Sequence, residues 1–289
     1  MKKLLITGAS GFLGGHIFSR AHSVFQCLGT YNTYPTGNDI PNWRNIDLCN
    51  FFDVFELLSE FQPEIIIHAA ANSNLDECEK NPQKAQGANV EATAHLVSIS
   101  KQFNARFIHV STDMVFDGAG SLYQEDDETK PISVYGLTKL QAESAVQQIE
   151  NAVIVRSALI YGRPAISGSC FSMWVESRLN AGKSVPLYVD QYRSPILVDN
   201  LAEILLELCE SDFTGILHAG GSNRIDRFTF GKQMCDRVGF DPDLLDPVFM
   251  DDHAHTAARP RDVSLNINKA MSILKTRLLS TEEGLDRMS

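Results

Sequence analysis

The feature that most constrains the fold is a glycine-spaced turn, Gly8-Ala9-Ser10-Gly11-Phe12-Leu13-Gly14, set directly after a short apolar run, Lys3–Thr7. The run suits one buried strand, and the residues after the turn carry a helical pattern. The first glycine permits a tight turn, the second lets backbone approach a pyrophosphate, and the third allows helix and strand to pack closely. The free N–H groups of the helix that opens there face the same anion. Glycine-rich turns also serve purely structural ends, so the flanking strand and helix are what give this one its meaning. Gly8, Ser10, Gly11, Phe12 and Leu13 are therefore expected to touch a dinucleotide.

The rest of the first 160 residues alternates apolar runs with amphipathic stretches, which indicates a doubly wound α/β parallel sheet. Strands are predicted at Val24–Tyr31, Glu64–His68, Arg106–Ser111 and Ala152–Ser157. Asn50 should cap a helix with Phe51, Val54, Phe55 and Leu58 on its buried face, closed by Pro63. Asn81-Pro82 should start a helix running towards Phe103, and Ser133 or Val134 another that turns Leu140 and Val146 to the core. Beyond residue 160 the alternation decays to a helix at Leu201–Glu210, a strand at Gly215–Ala219 and a loop over Asp241–Arg261. The expected division is a dinucleotide-binding domain over 1–160 and a smaller, mainly substrate-binding lobe over 161–289. Residues of about 196–219 should return to the first domain, with the ligand between the two.

Charge and cysteine usage narrow the function classes. A net charge of −11 argues against nucleic acid or an anionic membrane as a general partner, because both demand a basic face. Cys27, Cys49, Cys78, Cys170, Cys209 and Cys235 are scattered with no C-x-x-C pair, as in a reducing compartment. Leu4-Leu5-Ile6 is too short for a secretory apolar region, and no stretch reaches the ~20 apolar residues of a membrane helix. A soluble, cytoplasmic protein is expected. Its oligomeric state is not readable.

The chemistry concentrates at four strand ends. The second strand ends in Gly29-Thr30-Tyr31-Asn32-Thr33, without the acid that would hold a ribose 2′-hydroxyl. A 2′-phosphate would instead meet Thr30, Asn32 or Thr33, which favours NADP(H) over NAD(H). His68-Ala69-Ala70-Ala71 ends another strand in small residues that let a cofactor lie across the sheet edge; close packing is the plainer explanation. Asp47-Leu48 could bracket an adenine or merely enter a helix. Val110-Ser111-Thr112-Asp113 ends a strand where Thr112 can offer its hydroxyl to a carbonyl, against the plainer reading of a strand-end turn. Tyr135 and Lys139, four apart on a helix, share a face. That pairing is common by chance, but an ammonium about 4 Å away supplies the ~4 kcal/mol needed to bring a phenol pKa down by roughly three units.

Taken together, these residues resemble the extended short-chain dehydrogenase/reductases with their Rossmann fold, and within them the dTDP-4-dehydrorhamnose reductase family. Besides the segments above, the resemblance rests on Asn89-Val90, Ser111-Thr112-Asp113-Met114-Val115-Phe116-Asp117-Gly118, Arg156 to Gly162, Asp190-Gln191 and Arg259-Pro260. It implies Thr112, Tyr135 and Lys139 as the catalytic triad, with Tyr135 and Lys139 also at the cofactor. Ser73, Asp113 and Gln191 are implied to lie near a nucleotide-sugar substrate. Met114 departs from a frequent tyrosine, Leu159 from a frequent tryptophan, and His16 from a glutamate that some members use in a metal-linked dimer. The diphosphate of such a substrate needs local cations in an acidic chain, and Arg193, Arg259 and Arg261 are the candidates.

The activity so implied is NADP(H)-dependent reduction of a 4-keto nucleotide sugar. The alternatives are an epimerase or dehydratase on the same fold, or a non-catalytic NADP(H)-binding regulatory subunit. Asp251-Asp252-His253-Ala254-His255 reads as solvated loop, so no metal is expected. His68, His109 and His218 read as satisfied core or edge residues, and Glu125-Asp126-Asp127-Glu128 as a solvated run.

Overall fold

The computed structural model describes residues 1–32, 41–253 and 255–288. Apolar runs bounded by turns become strands β1 (Lys3–Thr7), β2 (Gln26–Tyr31), β4 (Ile65–His68), β5 (Arg106–Thr112) and β6 (Ala152–Ser157), while β3 (Trp43–Asn45) is a short polar edge strand. With the strand Gly215–Ala219 they form one seven-stranded sheet. Its order is Gly215–Ala219, β6, β5, β4, β1, β2, β3, and every neighbouring pair is parallel. The chain thus winds outward both ways from β1. In such sheets the crevice beyond the carboxyl ends at that reversal is where ligands bind.

Helices cover both faces, as a parallel sheet requires. In chain order they begin with α1 (Phe12–Ala21), α2 (Phe51–Phe61), α3 (Leu75–Lys80), α4 (Pro82–Gln86), α5 (Ala92–Ser100) and α6 (Val134–Val146). One face packs α1 and the helix Val198–Cys209 over Leu4, Ile6, Ile67 and Val155. The other packs α2, α5 and the end of α6 over Leu5, Ile66, Phe107 and Ile154. A third apolar cluster, with Tyr161, Val175, Leu187, Phe230 and Met234, lies among the later elements.

Several expectations are corrected. On α2 the buried arc is Val54, Leu57 and Leu58, while Phe51 and Phe55 are 41% and 43% exposed. At 100° per residue the arc centres near Val54, which leaves both phenylalanines at its margin. The predicted helix from Pro82 to Phe103 is helical throughout, but it passes through a π-turn at Gly87–Glu91, and the Asn81 side chain makes no capping bond. Within Asp241–Arg261 the segment Leu245–Val248 is a strand, paired in parallel with Val185–Tyr188. A two-strand ribbon carrying Pro247 lacks the apolar run that marks the main sheet.

Candidate active site

The glycine turn behaves as its spacing requires. A Cβ on Gly14 would lie 2.0 Å from the Gly8 carbonyl oxygen, so only glycine allows α1 to start this close to β1. Beside the turn is a compartment of about 420 Å³ walled by Gly8, Ser10, Gly11, Asn32, Asp47, Leu48 and Ala69 to Ala71. These residues, drawn from four chain segments, fit an adenine nucleotide: glycine backbone for a pyrophosphate, and small side chains along β4's end. Asp47 also accepts from the Cys49 N–H at 3.0 Å, which holds its turn. Thr30 lines the compartment as well. Thr33 lies outside the described residues.

A second compartment, also about 420 Å³, shares the walls Gly8, Gly11, Ala69 and Ala71 and continues with Phe12, Leu13, Ser73, Thr112, Asp113, Tyr135, Lys139, Gln191, Arg193 and Arg259. Met114 and Leu159, the two departures from the family's aromatic residues, also line it. The site residues named from sequence, apart from Thr33 and Arg261, therefore line one of two adjoining cavities. Arg261 does not: its guanidinium turns away to Asp190 and Asp251. In its place the cleft holds Arg227, which sequence reasoning missed. Arg227 donates to Gln191 Oε1 at 2.9 Å, lies 4.5 Å over the Phe171 ring, and leaves Nη1 buried without a hydrogen-bond partner among the described residues.

Local structure explains how the chemical groups are held. Thr112 ends β5 and caps the short turn that follows, its hydroxyl accepting from the Met114 N–H at 3.2 Å and donating to Asp113 Oδ1 at 3.2 Å. Ser133 caps α6 through the Gly136 N–H. A Cβ on Gly136 would lie 2.2 Å from the Met114 carbonyl oxygen, so glycine there lets α6 press against the Thr112 turn. One helical turn separates Tyr135 from Lys139, and a further turn reaches Glu143. That carboxylate receives Arg156 at 2.9 Å in an almost solvent-free ion pair.

Electrostatics differ from the expectation in one respect. Burial pushes the Tyr135 phenol well above its usual value, only partly offset by the Thr112 hydroxyl. The Lys139 ammonium, 2% exposed, donates to His109 Nε2 at 3.2 Å. Burial lowers the Lys139 pKa to about 8, with Glu143 acting in the opposite direction. Asp113 is raised to about 6 by burial, against the pull of the Arg193 guanidinium. Arg193 itself spends its N–H groups on the Tyr192, Pro260 and Arg261 carbonyls, and its Nε stands 3.9 Å from Asp113 Oδ2. Arg259 pairs with Asp76 at 3.1 Å and keeps a buried Nε without a partner.

The remaining histidines divide. His68 has both ring nitrogens bonded, to Thr7 and Thr93, whereas His109 Nδ1 and His218 Nε2 are buried and have no hydrogen-bond partner among the described residues. His16 is tied within the chain to Asp199 and the Arg163 carbonyl. Glu125, expected in solvent, accepts from the His218 N–H.

A parallel sheet reversing at β1, a glycine turn at that reversal, and threonine, tyrosine and lysine converging on the adjoining cleft define the class of the extended short-chain dehydrogenase/reductases. The chain belongs to the RmlD substrate binding domain family, whose match spans residues 1–289. It is 34% identical over 97% of its length to a probable low-salt glycan biosynthesis reductase of Haloferax volcanii, of which 95% is covered. It is 30% identical over 93% of its length to methionine adenosyltransferase 2 subunit beta of Xenopus laevis, of which 81% is covered. The dTDP-4-dehydrorhamnose reductase of Bacillus anthracis, solved in complex with NADP, superposes with a TM-score of 0.89 at 25% identity, covering 100% of this chain and 99% of that one. The family's reductases are oxidoreductases that use nicotinamide cofactors. No helix among the described residues is long and apolar enough to cross a membrane.

Proposed function

We propose that this chain reduces the 4-keto group of a nucleotide-linked sugar, with NADPH as the preferred cofactor. The observation that carries the reading is the polarity of the cleft. Thr112, Tyr135 and Lys139 share it with a carboxylate oxygen, Asp113 Oδ2, and two guanidinium nitrogens, Arg227 Nη1 and Arg259 Nε, that have no hydrogen-bond partner among the described residues. Buried polar atoms in that state are costly unless a ligand completes them. The unpaired N–H donors suit a diphosphate, and the unpaired carboxylate oxygen suits a sugar hydroxyl.

In this mechanism the nicotinamide supplies the hydride. Tyr135 gives its phenolic proton to the alkoxide oxygen that forms, and the Thr112 hydroxyl, turned from Asp113, donates a hydrogen bond to the same oxygen. Lys139 anchors the nicotinamide ribose and, freed to turn an N–H towards the phenol, lowers its pKa. Asn32 and Thr30 meet the 2′-phosphate in the absence of a fixed acid at this strand end. Residues 1–160 act as the cofactor-binding part and most of 161–289 as the substrate-binding part. The six free cysteines suit the reducing cytoplasm.

A second reading has one observation in its favour, the relative named as a subunit of another enzyme. It predicts cofactor binding without turnover. The test is oxidation of NADPH with a panel of 4-keto nucleotide sugars, wild type against Tyr135→Phe. Turnover should fall ~10²–10⁴-fold, the usual worth of a positioned general acid, while NADPH still binds. Activity that survives the substitution undiminished removes the tyrosine from the mechanism, and absence of wild-type turnover on any such sugar favours the subunit reading.

A further inference from the structure

Lys139 is held in an unusual way. Its ammonium is buried, and the hydrogen bond that it makes within the chain runs back into the sheet, to His109 Nε2 at 3.2 Å. An ammonium has three donors and no acceptor, so His109 Nε2 must present a lone pair and the ring proton must sit on Nδ1. That Nδ1 is buried and has no hydrogen-bond partner among the described residues. The protein thus keeps an unsatisfied N–H on one side of the ring in order to offer an acceptor on the other. Nothing in the packing alone calls for this arrangement, since an apolar ring would leave no orphan.

The ring is itself held in place. His109 lies against His68, ring centroids 5.3 Å apart. His68 is fixed at both nitrogens, by Thr7 Oγ1 at 2.7 Å and Thr93 Oγ1 at 2.9 Å. Thr7, the last residue before the glycine turn, also accepts the Ala70 N–H at 3.2 Å. Hydrogen bonds from Thr7 to His68 and from Lys139 to His109, joined by packing of the two imidazole rings, therefore link the dinucleotide turn to the lysine of the cleft.

We infer that His109 is a positioning residue: it takes one N–H of Lys139 and so aims the other two at the nicotinamide ribose and the Tyr135 phenol. The inference rests on the proposed role of Lys139 at the cofactor. His109 can serve because it stays neutral, its protonation opposed by burial, by Lys139 and by His68. The groups that face Lys139 are His109 and His68 from the sheet, with Tyr135 and Glu143 one turn away on α6 and Arg156 paired beyond Glu143.

The test is cofactor binding, which needs no sugar. His109→Phe keeps a ring and removes the acceptor, whereas His109→Gln returns an acceptor near the Nε2 position. NADPH affinity should fall about 10-fold in His109→Phe and stay within about 3-fold of wild type in His109→Gln. Affinity for 2′,5′-ADP, which lacks the nicotinamide ribose, should not change in either. The alkaline loss of NADPH affinity as Lys139 deprotonates should also move to lower pH in His109→Phe, because a buried ammonium without an acceptor gives up its proton more readily. Equal NADPH affinity and an unmoved pH profile in His109→Phe would overturn the inference. So would parallel losses for NADPH and 2′,5′-ADP, which mark general damage to the fold. A wild type that binds no NADPH would instead overturn the cofactor reading itself.

Discussion

Asp113 offers a sharp test of whether the cleft is built for a ligand rather than for stability. Its carboxyl is 4% exposed, one oxygen has no hydrogen-bond partner among the described residues, and burial lifts its pKa from 3.8 to about 6 despite Arg193 3.9 Å away. Between those two values the folded protein holds a proton that the unfolded chain releases. Stability therefore falls as pH rises through roughly 4 to 6, and the loss amounts to ~3 kcal/mol above that window. Asp113→Asn removes the titration while keeping the shape. The variant should match the wild type or fall slightly below it at pH 4, then exceed it by ~1–3 kcal/mol at pH 8; the range allows for Arg193 losing its counter-charge. Urea unfolding at 25 °C at both pH values measures this directly. A difference that does not change with pH, or a less stable variant at pH 8, would refute the reasoning. The same variant should lose turnover, so that stability and activity move in opposite directions.

Three further outcomes are expected. Glu143→Gln leaves Arg156 as an uncompensated cation, both side chains being nearly solvent-free, and should lower unfolding stability by ~3–5 kcal/mol; a loss under about 1 kcal/mol would mean that Arg156 finds another partner. Arg227→Met should raise KM for a diphosphate-linked sugar ~10-fold or more while NADPH affinity is unchanged, and a matching loss for NADPH would move Arg227 to the cofactor. Asn32→Asp should weaken NADPH and strengthen NADH binding, each roughly 10-fold, and unaltered selectivity would place the 2′-phosphate elsewhere.

What could be read from the chain was what local patterns encode. Lys3–Thr7, Ala152–Ser157 and Gly215–Ala219 are strands at their predicted bounds, because each is an apolar run closed by turn or polar residues. The order of sheet, glycine turn, Thr112 and Tyr135–Lys139 follows from the same local signals. Arg227 was not legible. It stands at the start of the helix Arg227–Val238, capped by Asp226, in a stretch where no element is predicted from sequence. Only the tertiary path of that helix brings the guanidinium to Gln191 and Phe171. The partner of Lys139 was hidden for a related reason. His109 sits in a strand where it reads as core, and its pairing with a residue 30 positions away depends on α6 lying across β5.

The catalytic helix shows how these two kinds of information combine. Along α6, Gly136 meets the Met114 carbonyl, Thr138 receives the Asn89 amide at 3.0 Å, and Glu143 locks to Arg156. Each contact is buried and directional, so rotating or sliding the helix would break all of them at once. They flank Tyr135 and Lys139, the residues that burial has left with a raised phenol and a lowered ammonium. A helix free to relax would carry both into solvent and restore ordinary pKa values. The fixed contacts therefore hold the cleft in a state that is unfavourable by itself, with atoms of Asp113, Arg227 and Arg259 that lack a hydrogen-bond partner among the described residues. Binding energy from a ligand that completes those atoms can then be drawn on at the reacting carbonyl, where the tyrosine and the lysine are already in place.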